Sequence, residues 1–336
     1  MQKKIRGANK LKVLVTGAAG YIGSHLIRRL AQRHKGALIV GLDDMSEGHK
    51  ESILSGVHYV KGSTGDFELV KRLLIDHKIE AVIHFAASAY VGESMEKPFK
   101  YFENNVVSSL SLFKAMEEAK VKKLIFSSSC TTYGVPKEMP ITEDHRQSPI
   151  SVYGTTKYMV ELALRALHLS SNWSYVTLRY FNASGADDSG EIGESHDPET
   201  HIIPLALQTA LGKRDTLQIF GDDYETKDGT CIRDYVHVND LADAHLSALE
   251  LILNDTVSHE INLGTSSGAS VKDVIEVCQS VSGRSINVKV AERRAGDPAS
   301  LLADCSKAKF VLGWQPKYDL DAIVSTAWKW ESNRKY

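Results

Sequence analysis

The first half of the chain alternates short apolar runs with longer amphipathic stretches, and this rhythm constrains the fold more than any other feature. The runs are LKVLVTG, ALIVGLD, VHYVKG, AVIHFAA and VKKLIFSSS, and the stretch Tyr21 to Arg33 between the first two has helical spacing. Repeated strand, helix, strand units build a parallel sheet with helices on both faces. Val13 to Val15 and Leu124 to Phe126 are continuously apolar, as strands buried on both sides must be. After Tyr180 the rhythm stops at ASGADDSGEIGESHDPETH, a stretch of loop composition. Shorter elements follow: a helical Ile203 to Leu211, a strand Leu217 to Phe220 and a helical Leu241 to Leu251. The expected division is residues 1–181 for the sheet domain and 182–336 mainly for a smaller α/β substrate domain, with chain crossing between the two.

Directly after the first strand comes Gly17-Ala-Ala-Gly20-Tyr21-Ile22-Gly23, which leads into the helical stretch. Glycines at this spacing let the backbone turn tightly, approach a pyrophosphate and pack helix on strand, while the helix N-terminus offers N–H groups to the anion. Three glycines alone also suit an ordinary turn, but strand, loop and helix here occur in the order that a dinucleotide needs. The sheet is therefore expected to be a Rossmann-type doubly wound sheet. Asp43 closes the second run, twenty residues after Gly23. A carboxylate there accepts from ribose hydroxyls and repels a 2′-phosphate, which points to NAD over NADP; Asp44 is an equally available candidate.

Tyr153 and Lys157 stand four apart in a stretch with helical apolar spacing, so they share one face. A nearby ammonium favours the phenolate, which would make Tyr153 a general base. Ser129 ends a strand 24 residues before Tyr153, at the edge of the sheet where such folds bind ligands, and is placed to hydrogen-bond the same substrate hydroxyl. Ser127 and Ser128 are expected to satisfy local backbone groups.

The balance of 40 basic against 42 acidic side chains, a net charge of -2, excludes a general field for nucleic acid or an anionic membrane. Any phosphate site must be local. No run approaches the roughly 18–20 apolar residues of a membrane span, and the start MQKKIRGANKLK is basic with no cleavable apolar region, so a cytoplasmic location is expected. Cys130, Cys231, Cys278 and Cys305 lie far apart without CxxC spacing, so neither a metal site nor a disulfide framework is expected.

The glycine loop, SSS followed by TYG, and YxxxK in this order resemble the extended short-chain dehydrogenase/reductase superfamily. HFAASAYVGES (His84 to Ser94), LRYFNASGAD (Leu178 to Asp187), DGTCIRDYVHVNDLADAH (Asp228 to His245) and RRAGDPASLLAD (Arg293 to Asp304) narrow the resemblance to the UDP-glucose 4-epimerases, from about Lys12 to Trp330. The resemblance implies an isomerase that inverts a sugar C4 through a 4-keto intermediate. It implies that Gly17, Gly20, Tyr21, Ile22, Gly23, Asp43, Tyr153 and Lys157 hold NAD. Ser129, Tyr153, Asn182, Arg233, Arg294 and Asp297 would hold a UDP-sugar, with Leu301 as a gate beside the sugar C2 substituent. Arg233 and Arg294 suit a pyrophosphate as planar forks. Ser63 stands where such enzymes commonly hold the adenine amino group with an acidic residue, His201 where some have asparagine, and Ala89 with Tyr90 where a lysine-containing pair occurs.

A nucleotide-sugar 4,6-dehydratase is the nearest rival, but it needs an acid pair where this chain has Cys130 and Thr131. A non-enzymatic NAD sensor would have lost Tyr153, Lys157 or Ser129, and all three are present. Within the epimerases, N-acetylhexosamine or pentose substrates are the alternatives to hexoses. Amphipathic stretches at Phe99 to Ala119 and Thr155 to Leu169 are expected to pair two copies as a homodimer, or to cover the sheet.

Overall fold

The computed structural model describes residues 10–294 and 296–336, so the basic first nine residues and Ala295 lie outside the described residues. The five apolar runs become five strands: β1 (Lys12–Thr16), β2 (Leu38–Asp43), β3 (His58–Lys61), β4 (Ala81–His84) and β5 (Lys123–Ser129). Together with β6 (Ser174–Tyr180) and the late strand Ser258–Leu263 they form one seven-stranded sheet. Its order is Ser258–Leu263, β6, β5, β4, β1, β2, β3, and every pairing is parallel. The order reverses between β1 and β4, and this crevice at the carboxyl ends is where a doubly wound sheet receives a dinucleotide.

Helices cover both faces because both faces of the central strands are apolar. On one side, Leu26, Ile27 and Leu30 of the helix Tyr21–Arg33 meet Leu241, Leu246, Leu249 and Ile252 of the helix Val238–Asn254. On the other, Val70, Leu73 and Leu74 join Leu112, Phe113, Met116, Val160, Leu164 and Trp173. Each fully buried side chain of this size contributes about 1.5–3 kcal/mol. The expected helix Leu241 to Leu251 is thus longer than its periodicity suggests. It also returns the chain to the large sheet, which the strand Ser258–Leu263 extends beside β6.

The helical stretch expected over Phe99 to Ala119 is not uniform. It runs as Pro98–Tyr101, a π-helical Phe102–Val107 and an α-helical Ser108–Glu118. The wider turn aims Asn105 inward, where its Nδ2 donates to Ser88 O (3.0 Å) and Thr156 Oγ1 (3.1 Å) and its Oδ1 accepts from Ser88 N (2.8 Å). One amide thereby ties the loop after β4 to the helix Val152–Ser171.

A separate core forms where the helices Ile202–Ala210, Val271–Ser282 and Leu320–Ser332 meet around Leu207, Val274 and Val324. Three small sheets lie nearby. Leu217–Phe220 pairs with Val288–Ala291, Asn182–Ser184 with Tyr235–His237, and Ile232–Arg233 sits between Ala269–Ser270 and Ser300–Leu301. The polar stretch after Tyr180 is largely loop beyond Asn182–Ser184, as its composition indicates, yet Ile192 to Ser195 are buried and Trp330 Nε1 donates to Glu194 O (2.8 Å). No helix of the described residues is long and apolar enough to cross a membrane.

Candidate functional site

The glycine loop sits where β1 faces β4. Gly17 has φ of 68°, and a Cβ there would lie 2.7 Å from Ala86 N, so the loop and the chain after β4 touch backbone to backbone. A Cβ on Gly23 would lie 2.1 Å from Gly17 O, which holds the first turn of the helix against the loop. Gly20 is the helix N-cap without a side-chain hydrogen bond, and a Cβ on it would meet only Gly17 O at 3.4 Å. An uncapped helix N-terminus facing open space is what a pyrophosphate fits. Tyr21 and Ile22 contribute through that first turn. The Tyr21 hydroxyl is spent on Gly185 O (2.6 Å), and Ile22 packs on the core beneath.

Asp43 ends β2 beside this loop, 8% exposed. Its Oδ2 accepts from Ala19 N (2.9 Å) and its Oδ1 from Met45 N (2.8 Å), while burial raises its pKa against those two hydrogen bonds. Asp44 instead points to the surface, where its Oδ1 accepts from Ser46 N, so the geometry separates the two candidates. Ser63 Oγ accepts from Gly65 N, and the neighbouring Asp66 caps the helix Phe67–Asp76 by accepting from Leu69 N.

Tyr153 and Lys157 enter from the helix Val152–Ser171, which Ser151 caps by accepting from Gly154 N (3.1 Å). Ser129 comes from the end of β5. Its Oγ accepts from Thr131 N (3.2 Å) and Thr131 Oγ1 (3.1 Å), and Ser129 is near enough to the Tyr153 phenol to lower its pKa. Burial outweighs that effect and holds the phenol well above its usual range. The Lys157 Nζ lies 5.8 Å from the ring centroid and donates to Ser127 O (2.8 Å), and its own pKa is lowered to about 7 by burial, offset in part by Glu161. A phenol held that high stays protonated, so taking up a substrate proton requires nearby positive charge that favours the phenolate.

Ser127 and Ser128 do not turn to local backbone as expected. Ser127 Oγ pairs with the Tyr180 hydroxyl, and Ser128 Oγ donates to Glu161 Oε1 (2.6 Å). Glu161 is fully buried and receives Arg179 Nε (3.0 Å), Arg179 Nη2 (2.6 Å) and Gln147 Nε2 (2.7 Å). Arg179 Nη1 donates to Tyr133 Oη (2.8 Å), which donates to Asn262 Oδ1 (2.7 Å). This buried network locks the helix bearing Tyr153 to the strands bearing Ser129, and no single motif signalled it.

The residues expected to hold a UDP-sugar gather beyond β5 and β6. Asn182 follows β6, and its Nδ2 donates to Asp234 O (3.0 Å). Arg233 pairs in register with Leu301, and its Nη2 meets Asp297 Oδ1 at 2.5 Å. Leu301 is half-buried against a cluster of Tyr133, Ile141, Phe181 and Ala303 that also includes Cys130, next to Ser129. Arg294 stands apart, its guanidinium 4.0 Å from the Phe220 ring centroid, on the wall of a cleft of about 580 Å³ that Leu205, Lys213 and Leu217 also line. Asp234 escaped the sequence reading although its motif was noticed. Fully buried, it accepts from Thr265 N (2.6 Å), Ser266 N (3.1 Å) and Ala303 N (3.1 Å) and so ties the segment of Arg233 to that of Leu301.

The sequence profile of the GDP-mannose 4,6 dehydratase family matches residues 14–327. A UDP-glucose 4-epimerase of Halalkalibacterium halodurans is 47% identical over 327 residues, 97% of each chain. The chain belongs to the UDP-glucose 4-epimerase family. Among solved structures, a UDP-glucose 4-epimerase from Brucella ovis in complex with NAD superposes with a TM-score of 0.92 at 47% identity, covering 95% of this chain and 97% of that one. The UDP-Glc/GlcNAc 4-epimerase of Campylobacter jejuni superposes with a TM-score of 0.84 at 42% identity, covering 96% and 99%. The epimerase family lies within the same extended short-chain dehydrogenase/reductase group as the dehydratase that names the profile.

Proposed function

We propose that this chain is an NAD-dependent 4-epimerase of UDP-hexoses that interconverts UDP-glucose and UDP-galactose. The observation that carries the reading is the glycine cradle at the sheet's switch point, together with Tyr153 on the helix Val152–Ser171 and Ser129 at the end of β5, near enough for Ser129 to lower the pKa of the phenol. Gly17, Gly20, Gly23, the first turn at Tyr21 and Ile22, and Asp43 would hold the cofactor, and Lys157 would fix its nicotinamide end. Bound NAD supplies the positive charge and the acceptor that takes a hydride from C4 and gives it back. Tyr153 takes the proton of the 4-hydroxyl while Ser129 hydrogen-bonds the same oxygen. The neutral 4-keto sugar, held only through its UDP, turns its other face to the site, and Tyr153 returns the proton to an inverted alcohol. Arg233 and Arg294 would clamp the pyrophosphate, with Asp297 orienting Arg233 and Asn182 reaching the sugar side.

Residues 1–181 form the cofactor-binding half in this reading, joined by Val238–Asn254 and Ser258–Leu263, and most of 182–336 serves the substrate. Val107, Leu110, Met159 and Leu162 are exposed on adjoining helices, which supports pairing with a second copy as a homodimer. Four free cysteines support a cytoplasmic location.

The test is incubation of purified protein with UDP-galactose and detection of UDP-glucose. Tyr153→Phe should lose about 10²- to 10⁴-fold in turnover with its bound NAD retained. Release of a 4-keto-6-deoxy sugar instead would make the chain a dehydratase, and near-normal turnover of the variant would remove Tyr153 from its role. A 4-epimerase of UDP-N-acetylhexosamines is the second reading, favoured by the aliphatic Leu301 on the wall beside Cys130.

A further inference from the structure

Four potential metal ligands converge on the segment Glu194-Ser195-His196-Asp197-Pro198-Glu199-Thr200-His201. One atom of each of Glu194, His196, Glu199 and His201 lies within 4.8 Å of the other three. Glu194 Oε1 is 3.3 Å from His196 Nδ1 and 2.6 Å from His201 Nδ1. Glu199 oxygens lie 3.6 Å from His196 Nδ1 and 3.2 Å from His201 Nδ1. Adjacent ligands of a tetrahedral zinc ion, with bonds of about 2.0–2.1 Å, stand about 3.3 Å apart. The four contacts bracket that value.

A second observation points the same way. Glu194 Oε1, His196 Nδ1 and Glu199 Oε2 are buried and have no hydrogen-bond partner, despite their closeness. Side-chain exposure is 5% for Glu194 and 4% for Glu199, so two carboxylates are withdrawn from water together, and each needs compensation. A divalent cation with two carboxylates and two neutral imidazoles makes a neutral, closed shell.

We propose that Glu194, His196, Glu199 and His201 bind a divalent transition-metal cation of the zinc class. Four protein ligands leave no open position, which makes the site structural. It clips a segment that Trp330 holds through Glu194 O, and that leads directly into the helix Ile202–Ala210 lining the substrate side. His196 reaches the cofactor side as well, its ring 6.4 Å from that of Tyr21 and 5.7 Å from that of Tyr90. The ion thus fastens this segment between the helix Ile202–Ala210 and the rings of Tyr21 and Tyr90. Sequence reasoning from cysteine spacing expected no metal, and it did not weigh this ExHxxExH pattern.

The experiment uses the full chain with its cofactor, stripped by a chelator and then titrated with Zn²⁺ by calorimetry and with Co²⁺ by visible absorption. Expected are one equivalent of metal per chain and the intense bands of four-coordinate cobalt. Both should be lost in His196→Ala and Glu199→Gln. Both should persist in the double variant His58→Ala/His77→Ala, which removes another close imidazole pair with ring centroids 4.6 Å apart. Circular dichroism checks the fold of each variant, and the half-exposed His201→Asn supplies a third if either fails. No uptake by the wild type would overturn the proposal. So would metal binding that survives the cluster variants, or imidazoles that stay protonated and unmoved by Zn²⁺ in proton NMR, which would make the cluster a pair of ion pairs.

Discussion

Replacing Glu161 by glutamine should destabilise the protein and slow it at once. The carboxylate is fully buried, receives Ser128, Gln147 and two nitrogens of Arg179, and faces a guanidinium that is only 1% exposed. An amide in its place removes the negative charge and aims an N–H₂ group at other donors. Removing one member of a buried ion pair costs about 3–5 kcal/mol because the other charge is left without compensation. Unfolding entropy of about 2.1 cal/mol/K per residue over 336 residues is roughly 0.7 kcal/mol/K, so the midpoint should fall by about 4–7 °C. Thermal unfolding by calorimetry, with both proteins saturated in NAD, measures this. Turnover should fall with little change in KM, since the Ser128–Glu161 bond couples the strand of Ser129 to the helix of Tyr153. Arg179→Met should cost a similar amount, and the double variant Glu161→Gln/Arg179→Met clearly less than the two single costs combined. A Glu161→Gln protein within about 1 kcal/mol of wild type, or single costs that simply add, would refute the reasoning.

Three further outcomes follow from the site. Lys157 has its pKa lowered by burial to about 7, whereas in the unfolded chain it stays protonated to about 10.4, so the unfolded state binds the extra proton between those values and stability rises with pH across that window. Urea unfolding of cofactor-free Lys157→Met between pH 7 and 10 should show a flatter slope, and an unchanged slope would contradict the burial cost. Asp43→Ala should narrow the preference for NAD over NADP in binding titrations, and a wild type that binds both equally would remove Asp43 from the ribose. For Leu301, UDP-N-acetylhexosamine turnover should be weak in wild type, higher in Leu301→Ser and lost in Leu301→Tyr, with each step worth about 1–3 kcal/mol. N-acetylated substrates ignored by wild type and by Leu301→Ser alike would place the gate elsewhere.

Local signals were enough for the sheet and its cofactor loop. A strand buried on both faces must be continuously apolar, so Val13 to Val15 and Leu124 to Phe126 declare themselves in any context. Gly17 and Gly23 are required by backbone contacts within a few residues of chain or one strand away. Tyr153 and Lys157 share a helix face by spacing alone. Tertiary structure decided what depends on partners distant in sequence. It sent Ser128 to Glu161 and Asp234 to Ala303, buried Asp43 while leaving Asp44 exposed, and placed the Lys157 ammonium on Ser127 O. It also buried Glu194 and Glu199 inside a stretch with the composition of a loop. Hydrophobic periodicity records which side of an element leaves water, but a buried polar group is stable only through partners that the whole fold brings to it, and those partners leave no period in the sequence.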